Sequence, residues 1–343
     1  MQTFARPDLA ALRRYADATA QPVDLTDNTN QWGSPPAASE ILREGGAVAR
    51  YPDMYGAAMK DAVARVVGCS VQSVVTGNGS DDVLDCAIRA FGSPGDRLAY
   101  PDPTFVMIPV FSRLNSVVPV PVPVDSDGAM DVDALLATKA PIIYLCSPNN
   151  PTATATPEDA IRRVLDNATG LVILDEAYID FTTTTGFARE AASRSNVLVC
   201  RTLSKAYGMA GLRIGYGVAH PDVIESIEKS RGPFKLNLLA ERAAVTALSH
   251  DRDWVMARAA DAIEHRERFA AALRQLGLPP LSSAANFVFV PTPRAATLAL
   301  ALETAGIGVR LFVNTARFGD AIRITIAPWP IMERVLAVLR AAA

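Results

Sequence analysis

Arg201-Thr-Leu-Ser-Lys-Ala-Tyr-Gly-Met-Ala-Gly-Leu-Arg-Ile-Gly-Tyr216 follows a short apolar run, Val197-Leu-Val-Cys200, that reads as the end of a strand. The chain has only five lysines, Lys60, Lys139, Lys205, Lys229 and Lys235, against far more arginines. Arginine therefore carries the surface, and a lysine set in a glycine-rich, hydroxyl-rich turn is poorly explained as a solubility charge. Kept from water, its amine loses basicity and becomes able to attack a carbonyl. Arg213, eight residues on, offers a planar cation suited to a phosphate. Taken alone, the stretch also fits an ordinary strand–turn–helix junction with a surface Lys and Arg. The rest of the chain decides between the two.

Outward from that turn, continuous apolar runs alternate with amphipathic ones. Val74 to Gly77, Asp96 to Tyr100, Val117 to Val124, Pro141 to Cys146, Leu171 to Leu174 and Gly215 to Ala219 read as strands. The Val117–Val124 run carries prolines and belongs at an edge. Helical spacing is expected over Glu40–Ala49, Ala57–Val67, Ser80–Phe91 and Pro157–Asn167, and over an N-terminal piece near Asp8–Ala18. Leu25–Pro36 is dense in turn formers and predicts an extended loop. Strands without polar alternation, joined through helices, predict an α/β fold with a mixed, mostly parallel sheet covered by helices on both faces. From about Pro221 the text becomes α+β: helices, one of them long (Asp253–Leu276), then strands at Ala285–Val290, Gly308–Leu311 and Ala321–Ala327. This predicts a large domain over 45–240, and a smaller α+β domain from 1–44 and 241–343. The long helix is expected to run from one to the other.

Composition narrows the function. The chain has 343 residues, half of them apolar, with net charge −3, so no basic footprint points to nucleic acid. It shows neither a membrane-length apolar run nor a signal-peptide core, so no membrane partner is expected. Four widely spaced cysteines read as thiols in a reducing cytoplasm, and three histidines without C-x-x-C make a metal site improbable.

Four strand ends bring the chemistry together: Gly79-Ser80-Asp81, Asn149-Asn150-Pro151, Asp175-Glu-Ala-Tyr178, and Ser204-Lys205 with Arg213. Ligands of open α/β sheets bind at such ends. An aldehyde cofactor with a pyridine ring and a phosphate needs this set. Lys205 condenses with the aldehyde, Asp175 keeps the ring nitrogen protonated, and Tyr178 and Asn150 donate to the ring oxygen. Phe105 covers a ring face. Ser80, Asp81, Ser204 and Arg213 receive the phosphate at a helix N-terminus. Each part has a plainer alternative. Ser80 and Asp81 are good N-caps, Asn149-Asn150-Pro151 is a good turn, and Phe105 could be core. Asp175-Glu176 could hold a metal beside a nucleotide, but no G-x-x-x-x-G-K-[ST] accompanies it.

The chain resembles the fold-type-I pyridoxal-phosphate aminotransferases, most closely the histidinol-phosphate branch. The resemblance runs through Asn28-Thr-Asn, Arg50-Tyr-Pro-Asp, Gly79-Ser-Asp-Asp, Pro103-Thr-Phe, Ser147-Pro-Asn-Asn-Pro-Thr, Asp175-Glu-Ala-Tyr, Arg201-Thr-Leu-Ser-Lys-Ala-Tyr, Gly211-Leu-Arg-Ile-Gly, Ala285-Asn-Phe and Ile322-Arg-Ile-Thr. It implies pyridoxal 5′-phosphate as cofactor, with Thr202 added to the residues around it. It also implies small-molecule amine and 2-oxo acid substrates, and a homodimer in which Tyr51 reaches the neighbour's phosphate. Arg323 would grip a carboxylate, with Arg310 and Asn28 near the substrate. Two departures from the family pattern are Thr29, where a glutamate is usual, and Ala153, where a glycine is usual. Aromatic aminotransferases and threonine-phosphate decarboxylases carry similar motifs. A non-catalytic regulatory relative would need a DNA-binding segment, for which the text before Asn28 offers no room.

Overall fold

Residues of the apolar runs alternate between two helical layers, which is what continuous hydrophobic strands require. The computed structural model describes residues 21–342 of the chain, so the helix expected at Asp8–Ala18 lies outside the described residues. The strands are β1 (Val23–Asp24), β2 (Val74–Asn78), β3 (Arg97–Asp102), β4 (Val118–Pro123), β5 (Ile142–Cys146), β6 (Leu171–Asp175), β7 (Val197–Thr202), β8 (Ile214–Ala219), β9 (Phe287–Pro291), β10 (Ile307–Gly308), β11 (Arg310–Thr315) and β12 (Gly319–Thr325). Seven form one sheet in the order β2-β8-β7-β6-β5-β3-β4. β8 alone runs antiparallel to both its neighbours, while the other pairings are parallel. The α/β expectation holds, and the proline-bearing β4 is one of the two edge strands.

Ile143, Leu145, Val172 and Leu174 point into a core shared with helices Ala57–Val67, Glu158–Asn167 and Leu238–His250. Ile142, Tyr144, Leu171 and Ile173 point the other way, against helices Ser80–Phe91 and Pro221–Ser230. A three-stranded antiparallel sheet, β11-β12-β9, has its own core with Leu25, Phe269 and helices Ala295–Thr304 and Trp329–Ala342. Between the two lies a cluster containing Tyr178, Ala206, Val255, Ala259, Ala262 and Phe287. Val255, Ala259 and Ala262 belong to the long helix Arg252–Gln275, which thus lies along the seam.

Two local expectations shift, and one short strand, β1, is new. The helix placed at Glu40–Ala49 is Pro36–Glu44. Pro36 occupies a first-turn position, where its missing N–H costs nothing, and Gly45, at φ 70°, ends the helix before a second glycine. The strand placed at Gly308–Leu311 is divided at Val309, with β10 pairing β1 in a separate sheet. β1 itself pairs over only two residues, too few to show a period.

Candidate active site

Parallel strands end at the same edge of a sheet, so β2, β5, β6 and β7 deliver the sequence-predicted residues to one side. There a cavity of about 470 Å³ is lined by Asn28, Ser80, Asp81, Phe105, Asn150, Asp175, Tyr178, Thr202, Ser204, Lys205, Arg213 and Arg323. Of the fourteen residues singled out from the sequence, Tyr51 and Arg310 are the two not among its walls.

Lys205 sits in the turn after β7. Its Nζ donates to the carbonyl oxygen of Asp27 at 2.7 Å and lies 5.8 Å from the centre of the Tyr178 ring. Burial, then the nearby Arg323 and Arg213 charges, bring its amine down to about 8, with Asp27 and Asp81 opposing. Asp175 ends β6 and is buried. Its Oδ2 accepts from Tyr144 Oη at 2.9 Å and its Oδ1 from the Ala177 N–H at 3.0 Å. Burial pushes this carboxyl up to about 6 against those two donors. Among the described residues no cation pairs with it, so the pocket holds a buried acid whose natural counterpart is a cation brought in from outside.

The opposite end of the cavity is anion-receiving. Ser80 opens a helix whose first N–H groups have no partner within it. Arg213, in the left-handed region at φ 53°, places Nη1 3.4 Å from Ser204 Oγ and Nη2 3.1 Å from Asp81. Thr202 Oγ1 donates to Ser204 Oγ at 2.9 Å. Two glycines permit this approach. A Cβ on Gly79 would stand 2.6 Å from Arg213 Nη2, and one on Gly215 would stand 2.1 Å from the Ser80 nitrogen. The Asp81 carboxylate is spent on Arg213, so its backbone N–H is the part that faces an anion favourably.

Arg323, on β12, crosses to the large sheet's side. Its Nη1 donates to Asn150 Oδ1 at 2.5 Å, its Nη2 to the carbonyl of Thr26, and its guanidinium lies over the Phe287 and Phe312 rings. Asn28 Nδ2 donates to Tyr178 Oη at 3.0 Å, and its backbone is locked by Thr325 and Asn286. Burial raises the Tyr178 phenol, so it stays protonated and able to donate. Arg310 pairs with Arg323 in register across β11 and β12, its Nη2 3.6 Å from Asp27 Oδ1. Tyr51 is 82% exposed and stacks on Phe234 at 4.6 Å, away from the pocket.

Glu176 is not a metal ligand in waiting. It takes two bonds from Arg201 and one from the Phe187 N–H. Asn149 likewise clamps the loop, bonding Thr104, Pro103 and Thr152. Among the described residues no cluster could hold a metal ion.

Sequence reasoning missed Asp27, Cys146, Met107 and Ala177 on the walls and Tyr144 behind Asp175. Asp27 lies in a stretch that reads only as loop. Tyr144 lies inside an apolar run, where a single hydroxyl carries no periodic signal.

The Aminotransferase class I and II family model matches residues 20–335. The chain belongs to the class I and II aminotransferases. A histidinol-phosphate aminotransferase from Ruegeria pomeroyi is 35% identical over 92% of this chain and 89% of its own length. An aromatic amino acid aminotransferase from Nocardia farcinica is 34% identical over 95% and 94%. The crystal structure of histidinol-phosphate aminotransferase from Sinorhizobium meliloti, in complex with pyridoxal-5′-phosphate, superposes with a TM-score of 0.89. It is 27% identical and covers 100% of this aminotransferase and 98% of its own chain. The fold is therefore that of the fold-type-I enzymes, and the protein is a transaminase, acting on amines and 2-oxo acids.

Proposed function

We propose that this aminotransferase binds pyridoxal 5′-phosphate through Lys205 and transfers the amino group between histidinol phosphate and 2-oxoglutarate. The observation that carries it is the pairing, in one cavity, of a lysine amine that burial brings down to about 8 with a buried carboxylate that no cation among the described residues pairs. The bound cofactor supplies an aldehyde that condenses with amines and a ring that accepts electrons. The chain's residues do the rest. Asp175 holds a proton on the ring nitrogen. Tyr178 and Asn150 donate to the ring oxygen, and Phe105 keeps water from one ring face. Ser80, the Asp81 N–H, Thr202, Ser204 and Arg213 seat the phosphate. Lys205 Nζ, once released, takes the proton from the substrate's Cα. Arg323 receives the carboxylate of glutamate, or the phosphate of the other amine, with Arg310 and Asn28 beside it.

The second reading is an aromatic amino acid aminotransferase, favoured by the Nocardia farcinica relative. Borohydride reduction followed by peptide mapping tests the first step, and a tag anywhere but Lys205 refutes it. Half-reactions of the loaded enzyme, followed by absorbance, then separate histidinol phosphate from phenylalanine.

We propose too that the large unit is built on the seven-stranded sheet and the small one on β11-β12-β9, with Leu238–His250 siding with the large. The exposure of Val48, Tyr51, Met54 and Tyr55 within one short segment, which a neighbour would cover, supports a homodimer. Tyr51 would then reach the neighbour's phosphate. Light scattering measures the assembly, and a monomer that retains full activity refutes it. The four free thiols, three of them buried, support a cytoplasmic location, which fractionation checks.

A further inference from the structure

Tyr144 lies on β5 with its side chain fully buried, in the core layer between the sheet and helix Ser80–Phe91. It does not line the active-site cavity. Its hydroxyl nevertheless ends 2.9 Å from Asp175 Oδ2. The register explains the reach: Cys146 is the β5 partner of Asp175, and Tyr144, two residues earlier, points to the same face of the sheet. We propose that Tyr144 is a positioning residue for the cofactor's ring nitrogen, holding the Asp175 carboxylate in place from a layer no ligand reaches.

The groups around Asp175 leave this task to Tyr144 and one backbone amide. Cys146 on β5 and Cys200 on β7 flank it in register, and both thiols are raised by burial and by the Asp175 charge itself. They stay protonated and offer only a weak sulfur donor. Asp81, from helix Ser80–Phe91, and the adjacent Glu176 both oppose ionisation. Among the described residues, that leaves the Ala177 N–H on Oδ1 and Tyr144 Oη on Oδ2 as its hydrogen-bond donors. A carboxylate held at one oxygen can still turn about its Cβ–Cγ bond. Held at both, it presents its remaining lone pairs in one direction. Burial and the neighbouring acid raise the Tyr144 phenol, so it stays protonated and can donate to the carboxylate.

The inference rests on the proposed pyridoxal-phosphate site. Failure of that site would show first, as no Lys205 tag in the unmodified protein. The test compares two aldehydes on the cofactor-stripped enzyme: pyridoxal phosphate, and its analogue with a ring carbon in place of the nitrogen. Tyr144→Phe keeps the ring and its packing and removes one hydroxyl. We expect it to weaken pyridoxal phosphate about tenfold and the carbon analogue hardly at all. In an Asp175→Asn background the same change should leave both affinities alone. Equal weakening of the two aldehydes would make Tyr144 a packing residue only, and no weakening of either would also overturn the proposal. Should Tyr144→Phe fail to fold, carbon NMR of the unmodified cofactor-stripped protein decides. The Tyr144 ring carbon bearing oxygen should shift with the same midpoint as the Asp175 carboxyl, and an unresponsive Tyr144 would overturn it.

Discussion

The Lys205 amine donates to the carbonyl oxygen of Asp27, 178 positions earlier in the chain, at 2.7 Å. The amine is thereby held against the N-terminal segment. Its basicity is lowered to about 8 from the ordinary lysine value of about 10.4. Between those values the unfolded chain binds the proton and the folded one does not. Stability of the cofactor-free protein should therefore rise with pH from about 8 to about 10.4. The rate of attachment to free pyridoxal phosphate should climb about tenfold per unit below pH 8 and then level. Stopped-flow absorbance reads it, and a rate flat from pH 6 to 9 would contradict the assignment.

Asp175 titrates in the opposite sense. Its carboxyl is raised to about 6, so between about 4 and 6 the folded state holds the proton more tightly than the unfolded one. Stability of the cofactor-free enzyme accordingly falls as pH rises through that window. The cofactor's ring cation needs the ionised form. Affinity should weaken about tenfold between pH 7 and pH 5, beyond whatever the phosphate's own titration contributes. Asp175→Asn isolates the carboxylate's share, since its affinity should be low and should follow the phosphate alone. Equilibrium titration at several pH values measures both.

Arg323→Ala removes a buried cation on which Asn150 and the Thr26 carbonyl depend. We expect kcat/KM for glutamate to fall by an amount equivalent to about 2–4 kcal/mol, with a smaller loss of cofactor affinity through the loosened Asn150. Arg323→Lys should recover only part, because an ammonium cannot present two parallel donors. Steady-state kinetics with a parallel cofactor titration separates the two effects.

Arg310 stands beside Arg323 in register yet is held towards Asp27, outside the cavity wall. If a substrate phosphate draws it in, Arg310→Ala should weaken histidinol phosphate by about 2–3 kcal/mol and phenylalanine far less. Equal losses, or none, would leave the amine unassigned and favour the aromatic reading.

Gly215→Ala would drive a methyl against the Ser80 nitrogen, a backbone atom that cannot swing aside. Destabilisation of about 1–3 kcal/mol is expected, together with a loss of phosphate affinity. Calorimetry and cofactor titration should report both, and an unchanged affinity would show that helix Ser80–Phe91 does not receive the phosphate.

The large sheet and most of the cavity were legible because long apolar strands and strand-end motifs are local signals. A run such as Leu171 to Leu174 needs no partner to be recognised, and Leu171–Asp175 is buried throughout. The contributions of Asp27 and Tyr144 were not legible, because each depends on a contact between distant segments. Asp27 meets Lys205 and Arg310 only after the chain has closed on itself, and Tyr144 meets Asp175 only across two paired strands. The reach expected of Tyr51 and Arg310 came from the family resemblance. Within one chain, Tyr51 packs on Phe234 and Arg310 faces Asp27.

Thr26, Asp27 and Asn28 hold, in consecutive order, Arg323, Lys205 and Tyr178. The segment works as a three-pin connector whose pins cannot be rewired singly. Inserting or deleting one residue there would shift every pin by one place, unplugging three functional groups at once while leaving the seven-stranded and three-stranded sheets intact. Efforts to retune this enzyme by loop exchange should therefore carry residues 25–28 and β12 together, as one cassette.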